Sequence, residues 1–254
     1  MQRYFIQPEN FLEDKAIIRG DDAHHLVRVM RAAAGDQVIV TDGAAREALA
    51  EVAELNKENV LLRIVEERPM SGEPALEVWV AQSLPKGDKL ETVIQKGTEV
   101  GAARFIPFVS ARTVVQYDAR KEAKRLERWR KIAKEAAEQA HRSRIPQVEE
   151  PASWKELLAM VPHTSLALFC YEKEGGLKLR EAVRKAELGN LEAGAKAPVL
   201  VVIGPEGGFT EEEAEAAEQA GCAVVGLGSR ILRTETAGLV ALSCLMYESG
   251  ELGH

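Results

Sequence analysis

Two glycine-bearing loops hold the residues best suited to chemistry. The first is Gly204-Pro205-Glu206-Gly207-Gly208-Phe209-Thr210, between the apolar run Val199–Ile203 and an acidic stretch opening Glu211-Glu212-Glu213. Three glycines in five residues let the backbone turn sharply and approach a ligand closely. The pattern is neither the G-x-x-x-x-G-K-[ST] nor the G-x-G-x-x-G phosphate signature. Thr210 with Glu213 spells a capping box, and three carboxylates in a first helical turn suit the helix dipole while repelling phosphate. A loop that carries Glu206 and no lysine suits a neutral or cationic ligand, a sulfonium better than a nucleotide phosphate. A plain strand-to-helix turn is the simpler reading.

The second loop is Gly226-Leu227-Gly228-Ser229-Arg230-Ile231-Leu232-Arg233-Thr234-Glu235-Thr236-Ala237. It also leaves an apolar strand and enters a helix, with Thr234 as the expected cap and Glu235 in the first turn. Ile231 and Leu232 sit between charged neighbours, where they could wall a flat ring such as adenine or plug the core beneath.

Both loops follow strands, and ligands in open α/β sheets bind beyond the carboxyl ends of strands. The elements that position them alternate from Leu76 onward. Strands are expected at Leu76–Gln82, Arg104–Val109, Ser165–Cys170, Val199–Ile203 and Ala223–Leu227. Helices are expected at Asp88–Val100, Ala119–His141, Ser153–Met160, Leu179–Ala186, Glu211–Ala220 and Glu235–Glu248. That alternation indicates an α/β domain with a mostly parallel sheet. Residues 1–70 read differently: strands at Arg3–Ile6, Gln37–Thr41, Glu47–Leu55 and Val60–Val65, plus one helix capped by Asp21 or Asp22 with Leu26, Val29 and Met30 on its apolar face. This suggests a small β-barrel. Residues 71–75, within a Pro-, Gly- and Ser-containing stretch, are the linker, and 76–254 the second domain.

Composition excludes several classes. Apolar residues make up 46% and charged residues 29%, so the chain can build a core and is not of disordered type. No apolar run is long enough for a membrane span, and the opening MQRYFIQPENFLEDK is not a signal peptide. Cys170, Cys222 and Cys244 are an odd number with no C-x-x-C pair, which argues against disulfides and zinc and fits a reducing cytoplasm. Histidines 24, 25, 141, 163 and 254 show no H-x-x-x-H or H-E-x-x-H spacing, so no metal is expected. The net charge of −7 argues against a bulk nucleic-acid coater, yet residues 112–144 hold eleven Lys or Arg against five Asp or Glu. That basic segment is either a localised anion-binding surface or a solvated helix face.

GPEGGF with TEEE, followed by LGSRILRTETA, resembles the RsmE family, the small-subunit ribosomal RNA uridine N3-methyltransferases of the SPOUT superfamily. The opening RYFI, DDAHHLVRVMR before Gly35-Asp36, QSLPKGDKLETVIQKGTEVGAARFIPF and KEAAEQAHRSRIPQV are similar to it as well, so the resemblance spans the chain. It implies a PUA-like N-terminal barrel and a C-terminal SPOUT domain with a deep trefoil knot, in a homodimer. It implies S-adenosylmethionine as cofactor, held by Gly204, Pro205, Glu206, Gly207 and Gly208, by Leu227, Gly228, Ile231, Leu232, Arg233, Thr234 and Thr236, with Leu168, Cys170 and Ile203 at the strand ends. It further implies 16S ribosomal RNA as substrate, as naked RNA or within an assembled 30S subunit.

Methyl transfer demands alignment above all. Uridine N3 must also lose its proton, which a carboxylate or a polarising arginine assists. Arg233 and Glu235 are the leading candidates, and Glu206 could face the positive end of the cofactor. For RNA the candidates are Arg3, His24, Arg28 and Arg31 in the first domain. Lys86, Lys96, Arg112, Arg142 and Arg144 are phosphate contacts, and Gln139 is a reader of the uracil edge. Aromatic residues are only 5%, too few for extended base stacking. The competing readings are another SPOUT enzyme, acting on a ribose hydroxyl or a different base, and a non-catalytic RNA-binding protein.

Overall fold

The structure is a computed structural model that describes residues 1–56, 58–114, 119–171, 177–186 and 197–253, with 119–121 followed as backbone only. Its internal contacts divide the chain into two units, Met1–Glu73 with Ala137–Ile145, and Pro74–Ala136 with Pro146–His254.

The first unit is a curled five-stranded sheet. Its elements are β1 (Gln2–Phe5), β2 (Lys15–Arg19), α1 (Gly20–His24), β3 (Gln37–Thr41), β4 (Glu47–Leu55) and β5 (Asn59–Arg68). The strand order is β1-β3-β4-β5-β2, and only the β1–β3 pair is parallel. The curl has a local cause: the β4–β5 register shifts at Leu49/Ala50 and again at Val52/Glu54, and such irregularities bend and twist a sheet. Alternate residues then face one core, built from Tyr4, Ile18, Leu26, Val40, Val60 and Leu62. Strand β2 was not anticipated, although Ala16 and Ile18 are buried between exposed Lys15 and Arg19 with the period of a strand.

The helix expected near residue 21 differs from the expectation in two ways. Its N-cap is Arg19, with no side-chain cap, rather than Asp21 or Asp22. After His24 the backbone widens into a π-type turn, His25–Val29, with the Met30 amide donating to the His25 carbonyl at 3.0 Å. The wider turn rotates later residues off the apolar face. Leu26 is buried, while Val29 (63% exposed) and Met30 (41%) face solvent.

The second unit is a parallel α/β sheet. In chain order its elements are β6 (Val78–Ser83), α2 (Lys89–Val100), β7 (Arg104–Val109), α3 (Ala119–Gln139), β8 (Gln147–Val148), β9 (Ala152–Ser153), α4 (Trp154–Met160), β10 (Leu166–Cys170), β11 (Leu177–Lys178), α5 (Leu179–Lys185), β12 (Val199–Ile203), α6 (Glu211–Gln219), β13 (Ala223–Gly226) and α7 (Thr234–Glu248). The strand order is β11-β13-β10-β12-β6-β7-β8, β9 also pairs with β7, and every described pairing is parallel.

Strand β12 shows why the sheet is covered on both faces. Val199, Val201 and Ile203 join one core with α2 and α7, while Leu200 and Val202 join the other with α4 and α6. All five are buried, each contributing about 1.5–3 kcal/mol of burial. Helix α2 buries Leu90, Val93 and Ile94 along one stripe and stops at Gly101, whose φ of 114° lies in the left-handed region. Among the described residues no helix is long and apolar enough to cross a membrane.

Candidate functional site

Because all strands of the second unit run in parallel, the loops after β6, β7, β10, β12 and β13 emerge along one edge of the sheet. That edge collects both glycine-bearing loops. Between the end of β10 and the second loop lies a cleft of about 130 Å³. Its walls include Cys170, Tyr171, Leu227, Gly228, Ile231 and Leu232, and it also touches Val225, Gly226, Arg230 and Ala237. It is smaller than the roughly 300–1,000 Å³ of most small-molecule sites. Ile231, 89% exposed, stands on its rim. Burial pushes the Cys170 thiol up to about 12, so that wall is a neutral sulfur at pH 7.

The first loop is held from three sides. Gly204 sits in close packing: a Cβ there would lie 3.0 Å from the Phe209 ring, which would have to shift to admit it. Gly208 has φ +67°, which glycine adopts without strain. The Arg112 guanidinium, which is exposed, donates to the Gly207 carbonyl at 2.9 Å and so clamps the loop. The capping box forms as the residue types indicate: the Glu213 amide donates to Thr210 Oγ1 at 3.2 Å, and the Thr210 amide to Glu213 Oε2 at 2.9 Å. Glu213 Oε1 accepts from the Ala111 amide at 2.8 Å. The cap and the three carboxylates of the first turn make the N-terminus of α6 unfavourable for an anion.

Glu206 has a cation already. Its Oε1 accepts from Lys89 Nζ at 2.6 Å and from the Lys86 amide at 3.1 Å. Partial burial opposes its ionisation most strongly of any one influence. The Lys89 ammonium and the backbone N–H groups together outweigh that and hold the carboxyl below its ordinary range. Lys89 also lies 3.9 Å from Glu235 Oε2, an oxygen that is buried and, among the described residues, has no hydrogen-bond partner. One ammonium thus serves two carboxylates on the same sheet edge, although neither lines the cleft.

Thr234 corrects the expectation of a cap. The N-cap of α7 is Arg233, which is exposed, and Thr234 is the first helical residue. Its buried hydroxyl donates to the Gly204 carbonyl at 2.6 Å and accepts from Gln82 Nε2 at 2.8 Å. Its hydroxyl ties the two loops together. Leu168 and Ile203 are buried in the core beneath the edge. Pro205 is buried as well, and Thr236 is exposed.

The first unit holds its own candidates. His24, Arg28 and Arg31 are exposed on α1 and the turn that follows it, and Arg31 sits at φ 55°. Arg3 is not a surface arginine. It is 7% exposed and pairs with Glu47 in the interior. Arg142, 4% exposed, pairs with Glu73, so it too is withdrawn from phosphate. Gln139 and Arg144 are exposed. In the second unit Lys86 is exposed, and Lys96 pairs with Glu99 at 2.8 Å. Part of the basic segment 112–144, residues 115–118 and the side chains of 119–121, lies outside the described residues.

Gln82, Lys89, Tyr171, Arg230 and Ala237 belong to this edge and were not singled out from the chain. Gln82 left a readable signal, a lone amide near the end of the otherwise apolar strand V-W-V-A-Q-S. Among the described residues no group of His, Cys, Asp and Glu is placed to hold a metal ion.

Comparison with known proteins adds the following. Residues 72–246 match the model of the RNA methyltransferase domain, and residues 18–65 that of the RNA methyltransferase PUA domain. The chain is 42% identical to the ribosomal RNA small subunit methyltransferase E of Bacillus subtilis (strain 168), covering 98% of this chain and 97% of that one. The protein of the same name from Mycobacterium bovis is 33% identical, over 91% and 85% of the two chains. Among solved structures, a ribosomal RNA small subunit methyltransferase E from Neisseria gonorrhoeae bound to S-adenosyl methionine is similar with a TM-score of 0.83 and 29% identity, covering 97% of each chain.

Proposed function

Because the chain belongs to the ribosomal RNA small subunit methyltransferase E family, we propose that it transfers the methyl group of S-adenosylmethionine to N3 of one uridine in 16S ribosomal RNA. The observation that carries this reading is the cleft between Cys170 and the second loop, and the three carboxylates in the first turn of α6 argue against a phosphate ligand at the first loop.

The residues present fit the cofactor. Leu227, Ile231 and Leu232 supply apolar surface for an adenine ring, and the exposed backbone near Gly228 supplies polar groups. Two carboxylates, Glu206 and Glu235, share one ammonium, a balance that favours a cationic ligand over an anionic one. When bound, S-adenosylmethionine supplies an electrophilic methyl group. Glu235, in the first turn of α7 with its side chain partly exposed, takes the N3 proton of the uracil, and Arg233 at the mouth of α7 stabilises the charge that develops on the ring.

In this reading residues 1–70 are the RNA-binding PUA-like barrel, 71–75 the linker and 76–254 the catalytic domain, whose last strands are threaded as a trefoil knot. The enzyme works in the cytoplasm on small-subunit RNA, with the assembled 30S subunit as the expected form of the substrate. It works as a homodimer: the cleft is small for the whole cofactor, and a second copy would cover exposed Ile231 and complete it. Sedimentation near twice 27.8 kDa is expected.

The test is transfer of labelled methyl to 16S RNA, naked and as 30S subunit, with the product mapped by mass spectrometry. A single N3-methyluridine is expected. Methylation at a ribose, or no cofactor binding at all, would sink this reading.

A further inference from the structure

Three chain segments meet at one buried amide. Gln82, 1% exposed, sits near the end of β6. Its Nε2, with two hydrogens to give, lies 2.8 Å from Thr234 Oγ1 and 3.0 Å from its neighbour's carbonyl at Ser83, and shares a hydrogen with the Gly204 carbonyl at 3.3 Å. The Thr234 hydroxyl closes the triangle by donating to the same Gly204 carbonyl at 2.6 Å. Gly204 opens the first loop. Thr234 ends the second and lies between Arg233 and Glu235.

We propose that Gln82 is a positioning residue for methyl transfer, its side-chain amide setting the distance between the Gly204 loop and the Arg233–Glu235 pair through the Thr234 hydroxyl. This rests on the methyltransferase reading of the site.

Two observations separate this role from ordinary core packing. Gln82 Oε1 is buried with no hydrogen-bond partner among the described residues. A leucine at that place would fill similar space without an orphaned acceptor, so packing alone gives no reason for an amide. The second is spatial. The cleft is walled by the end of β10 and the second loop, and Gln82 is not among its walls. Loss of the amide therefore leaves the cleft's own surface in place. What it frees is the start of α7 relative to the first loop, and a shift of about 1 Å in a reacting group can slow catalysis about 100-fold.

The experiment compares Gln82→Leu, Thr234→Val, Thr234→Ser and the Gln82→Leu/Thr234→Val double variant of the full chain. Three quantities are read: cofactor affinity by calorimetry, single-turnover transfer to 30S subunits at saturating cofactor, and melting temperature. The expected result is transfer slowed about 10- to 100-fold in Gln82→Leu and Thr234→Val, with the cofactor dissociation constant changed less than about threefold. Thr234→Ser, which keeps the hydroxyl, recovers the rate. The double variant is no slower than either single one, because both remove the same link. If Gln82→Leu does not fold, the contrast between Thr234→Val and Thr234→Ser carries the same test. Wild-type transfer in the variants, additive losses, or affinity and rate falling together would overturn the role of Gln82 while leaving the methyltransferase reading intact. A wild-type chain that transfers nothing overturns both.

Discussion

Arg3 and Glu47 meet as a two-pronged pair inside the first unit. Arg3 Nη1 lies 2.6 Å from Glu47 Oε2, and Nη2 lies 3.0 Å from Oε1. Ser143 donates its hydroxyl to Glu47 at 3.1 Å, and Arg3 also donates to the Arg142 carbonyl at 3.0 Å. The segment after α3 is thus fastened to β1 and β4 by charge. Arg3→Met strands a buried carboxylate, and a loss of about 3–5 kcal/mol in denaturant unfolding is expected. Arg3→Met with Glu47→Leu removes both charges and recovers most of it. A lone Arg3→Met that unfolds like wild type would contradict the pairing.

The Lys89–Glu206 contact is expected to give stability a pH dependence. Glu206 ionises more easily in the fold than in the unfolded chain, despite the opposing effect of partial burial, because of Lys89 and the backbone N–H groups. A carboxyl of lowered pKa stabilises the fold above its unfolded value of about 4.5, and that contribution disappears as pH falls through the folded value. Lys89→Met should therefore lower stability at pH 7, by about 0.2–1 kcal/mol for a partly exposed pair, and make little difference at pH 2. Equal losses at both pH values would show that the lysine acts by packing instead.

Much of the catalytic unit could be read along the chain because its signals are local. Val199–Ile203 is apolar at every position, and Thr210 and Glu213 stand at capping-box spacing. The strand and cap observed there match residue for residue. What escaped depends on partners far away in sequence. Gln82 joins Thr234 across 152 positions, and Lys89 joins Glu206 across 117. No periodicity encodes such meetings. Arg3 and Arg142 read as surface cations for the same reason: Glu47 and Glu73 lie 44 and 69 positions away. The π-type turn at His25–Val29 escaped because its apolar residues also satisfy an ordinary helical stripe, and only the widened hydrogen bond from Met30 to His25 reveals it.

Arg28 and Arg31 remain the exposed arginines of that turn. If they contact phosphate, each releases about one counterion on binding RNA. Arg28→Gln and Arg31→Gly should each reduce the slope of log affinity against log salt by roughly 0.7–0.9. Glycine is chosen at Arg31 because its φ of 55° strains most other residues. Arg3→Met in the Glu47→Leu background should leave the slope unchanged, since Arg3 faces inward. Filter binding to 30S subunits from 50 to 200 mM salt reads all three, and an unchanged slope in both surface variants would remove this turn from the RNA interface.

Cys170 offers a direct report on the cleft. Burial raises its thiol from an ordinary 9.0 to about 12, which leaves roughly a thousandfold less thiolate near pH 8. Alkylation of Cys170 by iodoacetamide should therefore be slow in the folded protein and still climbing steeply through pH 10, whereas in urea it should reach half its maximum near pH 9 and level off above that. The same shift acts on stability. The unfolded thiol ionises first, so the contribution is complete below pH 9 and declines as pH rises towards 12. Because Cys170 forms part of the cleft wall with Leu227 and Ile231, saturating S-adenosylmethionine should slow its alkylation further. Protection by cofactor would locate binding in this cleft. Alkylation that reaches half its maximum near pH 9 in the folded chain, or that ignores cofactor, would place the ligand elsewhere on the sheet edge.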